Sequence, residues 1–171
     1  MKTLLRRLAS GLTTLPRPLD WLELLVAVVL LAVIVGPAGL ATGMLRWAPQ
    51  GTGVLLSSAL SVIFIPALGE ELLFRGPWIP NRSEGVRPLW PIIISTAAFS
   101  SWHVLETIWL PGARPLFLRA DFLAWTALLG IACAVLRFRS GSLWPPVILH
   151  WAAVVAWETW LGGPVGIAAL R

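Results

Sequence analysis

Apolar residues in this chain run in long uninterrupted stretches and do not alternate with polar ones. Charge-free segments extend from Leu24 to Leu45, Trp47 to Gly69, Pro88 to Leu105, Phe122 to Leu136 and Ser140 to Trp157. A helix needs roughly 20 residues to cross a bilayer, so the pattern predicts an all-α, polytopic transmembrane helical bundle of about five spans. The fourth segment reaches that length only by taking in Ala120 and Asp121. Lipid leaves backbone polar groups without partners, and the runs lack the apolar and polar alternation of barrel strands, so helices are expected throughout. The tail "TWLGGPVGIAAL" is short and glycine-rich, and it reads as an interfacial or re-entrant segment.

The start of the chain, residues 1–20, is basic and interrupted by Pro16 and Pro18. It has no small-residue cleavage site after a short apolar core, so it reads as a retained cytoplasmic or interfacial segment and not as a signal peptide. Residues 21–171 then form a single integral-membrane domain, since no repeat or linker divides them. With the N-terminus inside, Lys2, Arg6, Arg7, Arg17, Arg75, Arg82, Arg87, Arg137 and Arg139 fall on the cytoplasmic side, against Arg46, Arg114, Arg119 and Arg171 outside. That excess predicts a multi-pass protein of the cell (inner) membrane with a cytoplasmic N-terminus.

Composition agrees: the mean hydropathy is +0.81, with 57% hydrophobic and 12% charged residues, about half the charged share of a soluble domain. The net charge of +5 is scattered between apolar runs without the clustered basic face that nucleic acid requires, so the bilayer is the expected partner. The 11 tryptophans, among them Trp21, Trp47, Trp78, Trp90, Trp109, Trp144 and Trp160 at run edges, suit the headgroup level. A single cysteine, Cys133, excludes a disulfide framework within the chain and a Cys-based metal site.

Against this background the polar residues inside the runs carry the functional signal, because an ionisable group in mid-membrane costs roughly 2.5–3.5 kcal/mol on insertion scales. The stretch "GEELLFRG" places Glu70 and Glu71 ahead of Arg75. On a helix Glu71 and Arg75 stand one turn apart in the favourable acid-before-base order, and Glu70 points about 100° away from Glu71. The only histidines are His103, in "FSSWH", and His150, in "PPVILHW" behind a proline pair suited to a helix start. Glu106, Asp121 and Glu158 lie nearer the ends of the runs. A carboxylate and two imidazoles meeting in a dry cavity supply a base for water, a partner to orient it and a donor for a developing oxyanion.

Taken in order, "EELLFR", "FSSWH" and "SLWPPVILH" resemble the CPBP family of intramembrane glutamic proteases, also called CAAX proteases and bacteriocin-processing enzymes. The family pattern is Glu-Glu-x-x-x-Arg, then Phe-x-x-x-His, then His-x-x-x-Asn or Asp. The resemblance runs from about Ile65 to His150. It implies Glu70 as the base that activates water, His103 as its partner and His150 as an oxyanion donor. Glu71 and Arg75 would hold the site together and Phe99 would pack beneath it, with no metal or cofactor required. The implied activity is hydrolysis of a peptide bond in a membrane-associated protein or peptide, such as a C-terminal sorting signal, a CAAX-like terminus or a bacteriocin precursor.

This chain departs from the pattern one turn after His150, where Val154 replaces the amide or carboxyl residue. Trp157, two turns from His150 on nearly the same face, offers an indole N–H that can only donate. Two other functions fit the same residues: a non-catalytic immunity or scaffold protein, and a metal or proton transporter using the glutamates and histidines as ligands or relay. Depth poses a further requirement. At 1.5 Å per residue, His150 lies about 10 Å into its run and His103 about 20 Å into its own, so a bent or tilted span, as at Pro66 or Pro91, or a cavity reaching inward, is expected to bring them level with Glu70.

Overall fold

A computed structural model describes residues 2–166, which contain helices and no strand. Five long helical stretches coincide with the five charge-free runs. They are α2 (Pro18–Ala41), a broken helix made of α3 (Thr52–Val62), a wide-turn segment Ile63–Leu68 and α4 (Gly69–Phe74), then α5 (Leu89–Glu106), α7 (Ala120–Ser140) and α8 (Trp144–Trp160). An N-terminal helix α1 (Lys2–Thr13) precedes them, and the short α6 (Arg114–Phe117) lies between α5 and α7. Three of these are long and apolar enough to cross a membrane: α2, the broken helix Thr52–Phe74 and α7. By length and composition, three of the roughly five expected spans are thus met. The remaining two, α5 with 18 residues and α8 with 17, carry His103, His150, Glu106 and Glu158.

The bundle is built around α7, which packs against α2, α5 and α8, while α8 also meets α3 and α2. Helix α2 turns Leu22, Leu25, Val26, Val29, Leu30, Val33 and Ile34 outward, as a lipid-facing helix does. It starts at Pro18, whose missing N–H is no loss at that position. Asp20 caps the start by accepting the Arg17 backbone N–H at 2.7 Å and its guanidinium at 2.9 Å. Helix α7 does take in Ala120 and Asp121, giving the full span that Phe122–Leu136 alone lacks. It stops at Gly141, whose φ of +70° is open to glycine at little cost. Pro145 and Pro146 occupy the first turn of α8, as expected.

The second run breaks at Ile65, whose φ of −135° and ψ of +117° are extended. Pro66 is the cause: its ring has no N–H to give and disfavours the helical conformation in the residue before it. Of the two prolines able to bend a span, Pro66 therefore does so, whereas Pro91 sits in the first turn of a regular α5. Residues 159–161, where the tail begins, accept backbone hydrogen bonds from Gln50 (2.8 Å), Ala48 (2.8 Å) and Arg46 (3.2 Å). The end of the expected re-entrant segment, residues 167–171, lies outside the described residues.

Two arginines that the sequence places on the cytoplasmic side are fully buried. Arg75 lies against Glu71, and Arg137 joins α1 to the bundle. Arg137 donates to the Arg7 carbonyl at 2.9 Å and to Asn81 Oδ1 at 2.6 Å, and the Leu143 N–H donates to the Gly11 carbonyl at 2.8 Å. Arg7 in turn pairs with Glu84 at 2.8 Å, and both side chains are largely shielded. The Arg7 guanidinium holds the Glu84 carboxyl below its ordinary value of 4.5. A depressed folded-state value adds stability that is complete above the unfolded value and is lost as pH falls through the folded one. Acidification below about pH 4.5 is therefore expected to loosen α1. Amide hydrogen exchange over residues 2–13 should accelerate there in the native chain and lose that pH step in Glu84→Gln.

Candidate active site

The kink at Pro66 sets α4 against α5 and α8, and Ser95 of α5 fastens the junction by donating to the Phe74 carbonyl at 2.7 Å. Glu71 and Arg75 are fully buried and their charged groups lie 3.1 Å apart, the pair predicted from their spacing. The Arg75 guanidinium carbon stands 4.1 Å from the centre of the Phe99 ring, a cation over an aromatic face. Glu71 has a second partner that the spacing does not show: its Oε1 accepts from His150 Nδ1 at 3.0 Å. The other ring nitrogen of His150, Nε2, faces Glu70 Oε2 at 3.8 Å. His150 thus stands between the two carboxylates.

His103 is held from the other side. Its Nδ1 lies 3.0 Å from the Phe99 carbonyl, and a carbonyl can only accept, so Nδ1 carries the proton and Nε2 is the free position of the neutral ring. Phe99 packs edge-on against both imidazoles, with centroids 4.9 Å from His103 and 5.7 Å from His150. Phe117 and Phe122 close around His103 at 5.3 and 5.4 Å. A single ligating atom from each of Glu70, His103 and Glu106 lies within 4.8 Å of the others. The structure therefore brings Glu70, Glu71, Arg75, Phe99, His103 and His150 into one cluster, as well as Glu106, which looked like a helix-end charge. Its signal was present in the sequence: it follows His103 by three residues and so shares its helix face.

Gly130 of α7 is a further contributor that no motif marks. A Cβ there would meet Arg75 Nη2 at 3.0 Å and the Phe99 ring at 3.2 Å, so glycine allows α7 to close over the ion pair.

Next to both histidines, α2, α5, α7 and α8 line a half-open apolar cavity of about 340 Å³. Val154 and Trp157 are on its wall, as are Leu31, Val35 and Trp125. At the position where the family pattern has an amide or carboxyl there is only the valine side chain. Trp157 packs on Phe122 with ring centres 5.9 Å apart, and its indole Nε1 is buried without a hydrogen-bond partner. An orphaned buried donor costs free energy.

No curated protein and no solved structure matches the chain. The sequence model of the type II CAAX prenyl endopeptidase Rce1-like family matches residues 21–156, an extent that contains the whole cluster from Glu70 to His150. With most of its length and every charged residue of the cluster inside that match, the chain belongs to the Rce1-like type II CAAX prenyl endopeptidase family.

Proposed function

We propose that the chain is a glutamate-dependent intramembrane endopeptidase in which Glu70 and His103 hold the hydrolytic water between them. The observation that carries this reading is the separation of at most 4.8 Å between a Glu70 oxygen and a His103 ring nitrogen, with Nδ1 of that histidine tied to the Phe99 carbonyl. One water making two hydrogen bonds of about 2.8 Å spans such a gap. Its oxygen attacks the substrate carbonyl carbon while Glu70 takes one proton and His103 Nε2 accepts the other hydrogen as a hydrogen bond. The tetrahedral intermediate then releases the amine, which receives the proton held by Glu70.

Donors for the oxyanion come from His150 Nε2, when that ring carries both protons, and from the unpartnered indole of Trp157 in place of the absent amide at Val154. Glu71 and Arg75 act on position, since Glu71 fixes His150 and Arg75 neutralises Glu71. The apolar cavity suits the aliphatic side chains of a membrane-associated peptide, and the substrate class we infer is a peptide with a CAAX-like or comparable apolar terminus. By the same reading the N-terminus is cytoplasmic: with the buried Arg75 and Arg137 set aside, Lys2, Arg6, Arg7, Arg17, Arg82, Arg87 and Arg139 still outnumber Arg46, Arg114, Arg119 and Arg171.

The test uses the full chain in detergent with a prenylated, internally quenched CAAX peptide. Cleavage is expected to persist in chelator, to vanish in His103→Ala, and to fall roughly 10²–10³-fold in Trp157→Phe, the usual loss for one oxyanion donor. Cleavage that is abolished by chelation and restored by zinc would sink the mechanism. Full activity in His103→Ala would do the same.

A further inference from the structure

Helix α1 and the loop between α4 and α5 have no part in the hydrolysis just described, yet they gather the free positive charge of one end of the bundle. We propose that α1 and residues 81–87 dock on an anionic lipid surface, and that the docked helix steadies α4 and α8, which carry the site. Helix α1 has three faces. Arg7, Ser10 and Gly11 turn to the bundle, where they meet Arg137, Asn81 and the Leu143 N–H. At 100° per residue, Leu4, Leu5, Leu8 and Leu12 share an arc of about 100° beside that face. Of these leucines, Leu4, Leu5 and Leu12 are exposed. Lys2 and Arg6 follow on the third face, also exposed. A helix with an apolar stripe flanked by cations lies in the plane of a membrane interface, stripe down, and anionic headgroups add to its hold.

Charge selects the headgroup. The acids at this end are Asp20, Glu23 and Glu84, and each is already paired, with Arg17, Arg139 and Arg7 respectively. Lys2, Arg6, Arg82 and Arg87 are exposed, and among the described residues none of them pairs with an acid. Four cations and no free carboxylate make a surface of one sign, and the exposed Val86, Leu89 and Trp90 extend its apolar edge. Each basic residue close to an anionic leaflet is worth about fivefold in association, a gain that a zwitterionic leaflet does not offer. The same surface is joined to the site. Leu8 lies against Gly76, one residue past Arg75, so closely that a Cβ on Gly76 would collide with it. Leu143 and Trp144, where α8 begins, donate to the Gly11 carbonyl at 2.8 Å and to the Leu12 carbonyl at 3.2 Å. Helix α1 therefore grips the ends of the two segments that carry Glu70, Glu71, Arg75 and His150.

Docking stands on the geometry and charge alone, whereas its effect on catalysis rests on the proteolytic reading, and the experiment separates the two. The full chain carries a thiol-reactive fluorophore at Leu5→Cys, since the native Cys133 has no exposure, and is placed in nanodiscs of mixed phosphatidylcholine and phosphatidylglycerol. Either one lipid or the other bears a nitroxide quencher at equal bulk content. Labelled phosphatidylglycerol is expected to quench as if enriched at least about fivefold around α1 at low salt, and high sodium chloride should erase the difference. The combined Lys2→Gln, Arg6→Gln, Arg82→Gln and Arg87→Gln variant should bring the two lipids to parity, and the three arginines changed to lysine should keep the enrichment. No quenching by either lipid, equal quenching in the native chain, or enrichment that survives in the glutamine variant overturns the docking surface. Soluble glycerophosphate that abolishes the enrichment, where sodium chloride of equal ionic strength does not, assigns the cations to a free phosphate and overturns it as well. Peptide cleavage should then rise severalfold from phosphatidylcholine discs to mixed discs, with the glutamine variant losing the rise and matching the native rate in phosphatidylcholine. Equal cleavage in both discs despite enrichment overturns the steadying role, while enrichment around a chain that cleaves nothing refutes the protease reading and leaves the surface standing.

Discussion

Glu70→Gln is expected to lower kcat for peptide cleavage by roughly 10²–10⁴-fold, the usual worth of a positioned general base, with little change in KM. The substitution keeps the shape and removes only the ability to take a proton. Folding should tolerate it, because Glu70 has no arginine partner and its contact with His150 is at 3.8 Å, beyond a hydrogen bond. The same change one residue later should behave differently. Glu71 is completely buried, pairs with Arg75 and accepts from His150, so Glu71→Gln leaves the base in place and weakens the frame around it. Rates per folded molecule, measured beside membrane abundance and thermal unfolding, separate the two. Wild-type turnover in Glu70→Gln would remove Glu70 from the chemistry, and a loss explained wholly by missing protein would leave the role unsupported. A non-catalytic scaffold also makes a distinct prediction, since its biological phenotype would survive Glu70→Gln.

Much of this organisation was legible in the chain. Each charge-free run became a helix, and the acid-before-base order of Glu71 and Arg75 correctly pointed to their ion pair. The mismatch in depth between Glu70 and the histidines called for a bent or tilted span or an inward cavity, and Pro66 provides a bend because a proline acts on its own local backbone. What escaped the sequence depended on partners distant along the chain. Arg137 counts as a cytoplasmic charge until Asn81 and the Arg7 carbonyl are seen to meet it inside the fold. The bond between His150 and Glu71 crosses 79 positions and follows from no local spacing. Gly130 could be any helix glycine, and only the approach of Arg75 and Phe99 gives it a reason. Glu106 shares a face with His103 in any helical reading, yet it acquires a neighbour only when the broken second run carries Glu70 to it.

Arg75→Ala is expected to destabilise the chain by about 3–5 kcal/mol, the usual cost of stripping one partner from a buried ion pair. At roughly 2–4 °C per kcal/mol for a chain of this size, thermal unfolding in detergent should fall by about 6–20 °C. The carboxylate stranded in the core accounts for more of this than the missing attraction does. Glu71 has zero exposure, and without the guanidinium its carboxylate keeps only the His150 N–H. Arg75 itself depends on few partners: its guanidinium N–H groups make no hydrogen bond, and its charge rests on Glu71 and on the Phe99 face. Removing both charges together should therefore be far milder than removing either. The double variant Glu71→Gln with Arg75→Met fills similar volume, retains an amide oxygen for His150 and leaves no uncompensated ion in the core. A double-mutant cycle across Glu71→Gln, Arg75→Met and their combination is expected to return a coupling of about 1–3 kcal/mol, as for side chains that touch directly. Additive losses would mean that the pair does not stabilise the site as an ion pair, and that Arg75 matters only through its packing on Phe99.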